Sequence, residues 1–228
     1  VAKRLKAMGL VRGRHFTVRM PKGGGMGYVL IPRDGLEHAA WLSVHGKGRR
    51  QRMAAEFIVY ILRRARERGE DVYEKALEVV EAGRARGSMG LAGVKGREVE
   101  VNNRKHVVTV VGGAAELDRS QSGKPLLRIK ITAEVDGVKN SYTITFGRYS
   151  KDNKISGFAM ARADAPGGKE ADAERLAALV KALTGKEPWT YHMKDGRIAV
   201  ICGRKHLDGL ARYAELAEAI AKWLDGAV

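Results

Sequence analysis

The sequence predicts an α+β protein of two pseudo-symmetric lobes, each an antiparallel sheet with helices packed on one face. Three observations carry that prediction. First, a strand-turn-strand-helix pattern near the start returns near the end. Asp34, Gly35, Leu36, Ala40 and Leu42 match Asp208, Gly209, Leu210, Ala214 and Leu216, and each set follows a first strand holding Thr and Met, at Thr17 and Met20 and at Thr190 and Met193. Self-similarity at such long spacing marks two copies of one supersecondary unit rather than a short-period solenoid. Second, apolar residues recur at helical spacing along about 49–84 and change to a period of two from Glu98 through the strands expected up to about 163. Third, residues 83–96, GRARGSMGLAGVKG, are glycine-rich and read as a connection. The expected division is a partial first lobe over 1–84 with a long helix, a linker over 85–96 and a second lobe over 97–228.

The elements follow in order. VAKRLKAMGL reads as the tail of an amphipathic helix, so the chain is expected to be part of a longer protein. A hairpin over about 15–31 turns at Lys22, Gly23, Gly24 and Gly25, and a helix from Asp34, a plausible N-cap, runs to about Val44. His45-Gly46-Lys47-Gly48 breaks it. The next helical stretch, about 49–84, places Met53, Phe57, Tyr60 and Ile61, then Tyr73, Leu77 and Val80, at helical spacing, with Gly69 dividing it. Strands are expected at about 97–102, 105–112, 125–135, 138–149 and 155–163. Leu176, Leu179, Val180 and Leu183 mark a helix over about 169–184, and a hairpin over 188–202 with a helix over 206–225 completes the second copy.

Charge narrows the function. Forty-two Lys and Arg against 26 Asp and Glu give a formal net charge of +16 over 228 residues. Self-repulsion of that size opposes compaction, so a polyanionic partner is expected, with nucleic acid first. The competing explanation is a thermophile-like surface, rich in Arg, Lys and Glu, that leans basic. A single cysteine, Cys202, excludes an intramolecular disulfide and any multi-cysteine metal site, and its setting in the apolar run IAVIC reads as buried filler. With no signal peptide and no apolar run long enough to cross a bilayer, no membrane partner is expected and a cytoplasmic location is the default.

The clearest chemistry lies around Asp136-Gly137, a strong two-residue turn signal. If that turn sets the register, Glu134 faces Lys139, Thr132 faces Ser141, Lys130 faces Thr143 and Arg128 faces Thr145. Leu127, Ile129, Ile131, Tyr142, Ile144 and Phe146 then share the core side. The other side is a ribbon of long donors and short hydroxyls, which suits a DNA groove, where Arg and Lys reach guanine or phosphate. The plain alternative is an ordinary solvated antiparallel face. The expected contacts are Arg128, Lys130, Thr132, Lys139, Thr143, Thr145 and Arg148, continued by Arg19 and His192 in the copied hairpins. A second basic group, Arg49, Arg50 and Arg52, opens the long helix and is expected to meet phosphate without reading sequence.

The segments GGAAELDRSQSGKPLLRIKITAEVDGV, YTITFGRY, ARADAPGGKEADAERLAALVKALTGKEP and MKDGRIAVICGRKHLDGLARYAELAEAIAKWL resemble the multicopy crenarchaeal repeat-protein family PaRep, class 2b, over roughly residues 36–225. That family has no settled activity, and its members look like mobile-element-associated or decaying reading frames. In topology the chain is similar to the LAGLIDADG homing endonucleases, whose two lobes lay curved sheets along the DNA major groove and whose motif helices deliver acids to metal ions. The nearest string here is Leu91-Ala92-Gly93-Val94, with Glu98 where an acid would stand, and nothing equivalent precedes the first copy.

Other chemistry has little footing in the sequence. Glu116 with Asp118, and Asp164 with Asp172, suit caps and loops better than a metal centre. The six histidines, His15, His38, His45, His106, His192 and His206, lack close-set ligand spacing, and the glycine strings lack a phosphate-loop pattern. The expectation is a mobile-element-associated protein that grips duplex DNA, without catalytic residues, metal or cofactor. Its alternatives are a magnesium-dependent homing-type endonuclease and a protein-interaction module anchored by Trp41, Trp189 and Trp223. Oligomeric state is left open.

Overall fold

The computed structural model describes residues 1–23, 25–149 and 154–224. Gly24 of the first hairpin turn and residue 225 of the last expected helix lie outside the described residues. The chain divides into two compact units, Val1–Arg86 and Gly87–Val228.

The first unit is mainly helical. Helix α1 (Ala2–Met8) leads to the hairpin β1 (Thr17–Arg19) and β2 (Tyr28–Leu30), then to α2 (Arg33–His45), α3 (Gly48–Arg66) and α4 (Glu70–Arg84). Gly69 adopts φ +129 between α3 and α4, a left-handed conformation that side chains resist, so the long helical pattern ends there. Phe16, Ala39, Ala40, Ala54, Ile58 and Val80 form the core. Small residues let the backbones close in: a Cβ on Gly83 of α4 would stand 2.3 Å from the Glu37 carbonyl oxygen of α2.

The second unit is a seven-stranded antiparallel sheet with helices. Its strands are β3 (Arg97–Val101), β4 (Arg104–Arg119), β5 (Pro125–Val135), β6 (Val138–Tyr149), β7 (Lys154–Met160), β8 (Trp189–His192) and β9 (Ile198–Gly203), ordered β3-β4-β5-β6-β7-β9-β8. Helix α5 (Gly168–Thr184) connects β7 to β8, and α6 (Arg204–Leu210) and α7 (Ala214–Leu224) follow β9. Helix α5 is buried almost all round, which apolar residues on every side require. It touches β3 at one edge of the sheet and β8 at the other. Seven strands laid flat would separate those edges by roughly 29 Å. The sheet therefore curls around α5, and its other face is convex.

Mixed α+β architecture is thus present, and the recurring element is the hairpin with its helix. The repeated Asp-Gly-Leu has a shared role in both copies. A Cβ on Gly35 would fall 1.9 Å from the His15 carbonyl oxygen, and one on Gly209 would fall 2.7 Å from Thr184 Cβ. In each case the helix after the hairpin lays its glycine against the chain that precedes the hairpin. The surrounding sheets are unlike, two strands in the first unit and seven in the second. The expectation of two pseudo-symmetric sheet-bearing lobes therefore reduces to this one supersecondary element.

The segment expected to link the lobes is built into the second unit from Gly87 onward. Met89 N–H donates to the Arg212 carbonyl at 2.9 Å and Ala214 N–H to the Met89 carbonyl at 2.8 Å, while Glu215 accepts from Leu91 N–H. Those bonds fall where the helix expected over 206–225 is broken into α6 and α7. Leu91 and Val94 are buried in the second core.

Candidate nucleic-acid interface

The hairpin β5-β6 turns at Asp136 (φ 53) and Gly137 (φ 78), two left-handed residues in succession, as a tight hairpin turn requires. Asp136 is held from outside the turn: its carboxylate accepts from Val107 N–H at 2.9 Å and lies 2.6 Å from His106 Nδ1. Burial works to raise this carboxyl, and those hydrogen bonds overcome it, holding it below the usual range. The register is then Glu134 to Lys139, Thr132 to Ser141, Lys130 to Thr143 and Arg128 to Thr145, as the turn predicts. Leu127, Ile129, Ile131, Tyr142, Ile144 and Phe146 are buried on the α5 side.

The convex side leaves Arg128, Lys130, Lys139 and Thr143 exposed, with Thr132 and Thr145 half-buried. Helices α5, α6 and α7 of the same unit pack into the core on the opposite side. Thr132 and Ser141 hydroxyls join at 2.7 Å. Strand β4 adds acids to this side: Glu116 is the cross-strand partner of Arg128, and Asp118 forms an ion pair with it at 2.8 Å. Half of the Arg128 side chain is nonetheless exposed, so the pair is a solvated one of small energy.

Two expected contacts lie elsewhere. Arg148 shares its face with Phe146, donates from Nη2 to the Leu224 carbonyl at 2.9 Å and sits over the Trp223 ring at 5.1 Å. It braces α7 against the inner face. His192 pairs with Ile198 and lines a cleft of about 330 Å³ beside α5 with Asn102, Arg104, Glu170 and Glu174, again on the inner side. Strand alternation explains both, because residues two apart share a face. Arg19 is exposed on β1, and Arg49, Arg50 and Arg52 are exposed at the start of α3, all in the first unit.

The same convex face carries aromatic side chains, of which the sequence had singled out Trp189 alone, as a protein-interface anchor. Thr145 pairs with Phe158, Phe158 with Ile201 and Ile201 with Trp189, so one ladder runs Arg128, Thr145, Phe158, Ile201, Trp189 across five strands. Trp189 is 66% exposed, Tyr191 44% and Phe158 37%. Tyr149 stands edge-on to Phe158 at 5.3 Å, and Trp189 lies 5.8 Å from Tyr191. The signal was present in Trp189-Thr190-Tyr191-His192, where alternation sends Trp189 and Tyr191 one way and Thr190 and His192 the other. Of the three tryptophans proposed as interface anchors, Trp223 is 1% exposed and belongs to the core.

The remaining candidates have structural roles. Leu91–Gly93 forms a short 3-10 turn and Glu98 lies on the edge strand β3, so the LAGLIDADG-like string does not form a motif helix. Cys202 is buried and its thiol is pushed up to about 12, which removes it as a nucleophile at neutral pH. Asp172 is fully buried and accepts from Asn140, Tyr142 and the Arg162 N–H. Among the described residues no three His, Cys, Asp or Glu side chains gather as a metal site would require, and no helix is long and apolar enough to cross a membrane.

A family model described as PaRep2b protein matches residues 1–228. Among curated proteins and among solved structures, nothing matches.

Proposed function

This chain belongs to the PaRep2b family, and we propose that it binds nucleic acid through the convex sheet face of its second unit. The observation that carries the reading is the uncovered ribbon around Lys130, where long cationic side chains and hydroxyls share one face in a protein of net charge +16. Lys130, Lys139 and Arg128 supply phosphate contacts, and Thr132, Thr143 and Thr145 supply short donors and acceptors. Duplex DNA, the partner first expected, and single strands share this phosphate chemistry. Arg49, Arg50 and Arg52 on α3 add sequence-independent attraction from the first unit. Binding, rather than cutting, is the activity these residues support, and association with mobile elements is its proposed setting.

Fluorescence anisotropy with labelled mixed-sequence DNA and RNA across a salt series tests this. The full chain is expected to bind with affinity that falls steeply as salt rises, and Lys130→Ala with Lys139→Ala is expected to weaken binding. Salt-insensitive binding, or none at low salt, would exclude the proposal.

A further inference from the structure

We infer that the ligand of this face is single-stranded nucleic acid, its bases stacked on Phe158, Trp189 and Tyr191 and its phosphates met by Arg128, Lys130 and Lys154. The inference rests on the nucleic-acid reading above and narrows it to one substrate class. Three observations lead there.

Curvature is the first. A duplex groove admits a two-stranded ribbon, but here the cations and rings are spread over five strands, β5, β6, β7, β9 and β8, on the convex side of a sheet that curls around α5. A flexible single strand can lie across a convex surface and splay its bases onto it.

The second is the kind of apolar side chain exposed. Phe158 and Trp189 belong to one cross-strand ladder with Ile201 between them, which sets them roughly 10 Å apart. Tyr191 follows Trp189 on the same side of β8. Flat rings at such spacing offer stacking platforms to successive unpaired bases, and stacking tolerates any base because each has a π face.

Charge complementarity is the third. On the convex side of β5, β6, β7, β9 and β8 the strand positions include Arg128, Lys130, Lys139 and Lys154 against a single acid, Glu134, beside the turn. Glu116 and Asp118 lie on β4, beyond Arg128 and away from the rings. An apolar protein partner would have no use for cations along the border of the aromatic patch. A polyanion with stackable bases uses both. Thr143 and Thr145 stand between Lys130, Arg128 and the rings, where their hydroxyls reach base edges.

The test uses the full chain with labelled 20-nucleotide mixed-sequence DNA and RNA single strands and the matching DNA duplex. Single strands are expected to bind more tightly than duplex at equal salt. Trp189→Ala and Phe158→Ala are each expected to weaken single-strand binding about tenfold while leaving duplex binding within about twofold, and Trp189→Phe is expected to restore most of the loss. Far-UV circular dichroism of the exposed-site variant Trp189→Ala should match the parent. If duplex binds as tightly as single strands, and only Lys130→Ala weakens both, the nucleic-acid reading stands and this inference fails. If nothing binds, both fail. If Trp189→Ala instead abolishes concentration-dependent self-association in sedimentation and leaves nucleic-acid binding unchanged, the patch belongs to a second copy of the chain and the inference is overturned.

Discussion

His15 and His38 stack with ring centroids 4.4 Å apart inside the first unit, and Trp41 lies on the far side of His38 at 5.9 Å. Burial pushes His15 down to about 4, with Arg14 and Arg86 adding to the fall and Asp34 opposing it; burial, then His15, Arg86 and Arg14, does the same for His38. Hydrogen bonding agrees, because His15 Nδ1 accepts from Val11 N–H at 3.1 Å and must be unprotonated to do so. Unfolded histidine titrates near 6.5. Between the two values the unfolded chain binds more protons, so the stabilisation is complete above about 6.5 and is lost as pH falls through that window toward 4. The urea midpoint is expected to be lower at pH 4.5 than at pH 7.5, and His38→Phe should flatten the difference. A midpoint independent of pH across that range would contradict the neutral stacked pair. In the second unit the comparable residue is Asp172, which takes hydrogen bonds from Asn140, Tyr142 and the Arg162 backbone and sits 3.7 Å from Arg175. Asp172→Ala leaves those donors buried without a partner and is expected to cost about 3 kcal/mol in urea unfolding, with Asp172→Asn intermediate.

At the level of elements, the hairpin-helix copies depend on two glycines that no larger residue can replace without moving backbone. Ala at Gly35 would collide with the His15 carbonyl and Ala at Gly209 with Thr184, whereas Ala at Gly112 meets nothing within 4 Å. Gly35→Ala and Gly209→Ala are expected to lower stability by about 1–3 kcal/mol each, with Gly112→Ala nearly neutral, as thermal melts would register. These glycines also show what a sequence reveals. Asp136-Gly137 announced its turn and hence the β5-β6 register, because left-handed φ at both positions is a local demand. Alternation from the core residue Phe146 already implied the inner face for Arg148, although charge had suggested a contact, whereas His192 is placed there only by its pairing with the buried Ile198. Other features depended on distant chain. Strand β4 runs through Gly112-Gly113 with a bulge, and Gly113 is small because Leu91 and the Lys130 carbonyl crowd it. The long last helix breaks where Met89 takes the backbone hydrogen bonds. The aromatic ladder needs β9 beside β7, a pairing across α5 that no local pattern encodes.

For the whole molecule, the charge excess is shared unequally between the units. Residues 1–86 carry 19 Lys and Arg against 9 Asp and Glu, and residues 87–228 carry 23 against 17. The first unit is therefore the more cationic, although the aromatic face lies in the second. This separates affinity from selectivity in a measurable way. Each phosphate neutralised contributes about 0.7 to the logarithmic salt slope for a single strand and about 0.9 for B-DNA. Replacing Arg49, Arg50 and Arg52 of α3 together with Ala is expected to lower the slope by roughly 2 and to weaken single strands and duplex alike, since a helix-borne cluster of one sign reads only phosphate. These arginines are exposed and form no ion pair with the described residues, so their loss should not unfold α3. Removing Lys130 is expected to lower the slope by no more than one contact. If the arginine replacement erased the preference for single strands while leaving the slope unchanged, discrimination would reside in the first unit and the division of labour between charge and aromatic surface would be wrong.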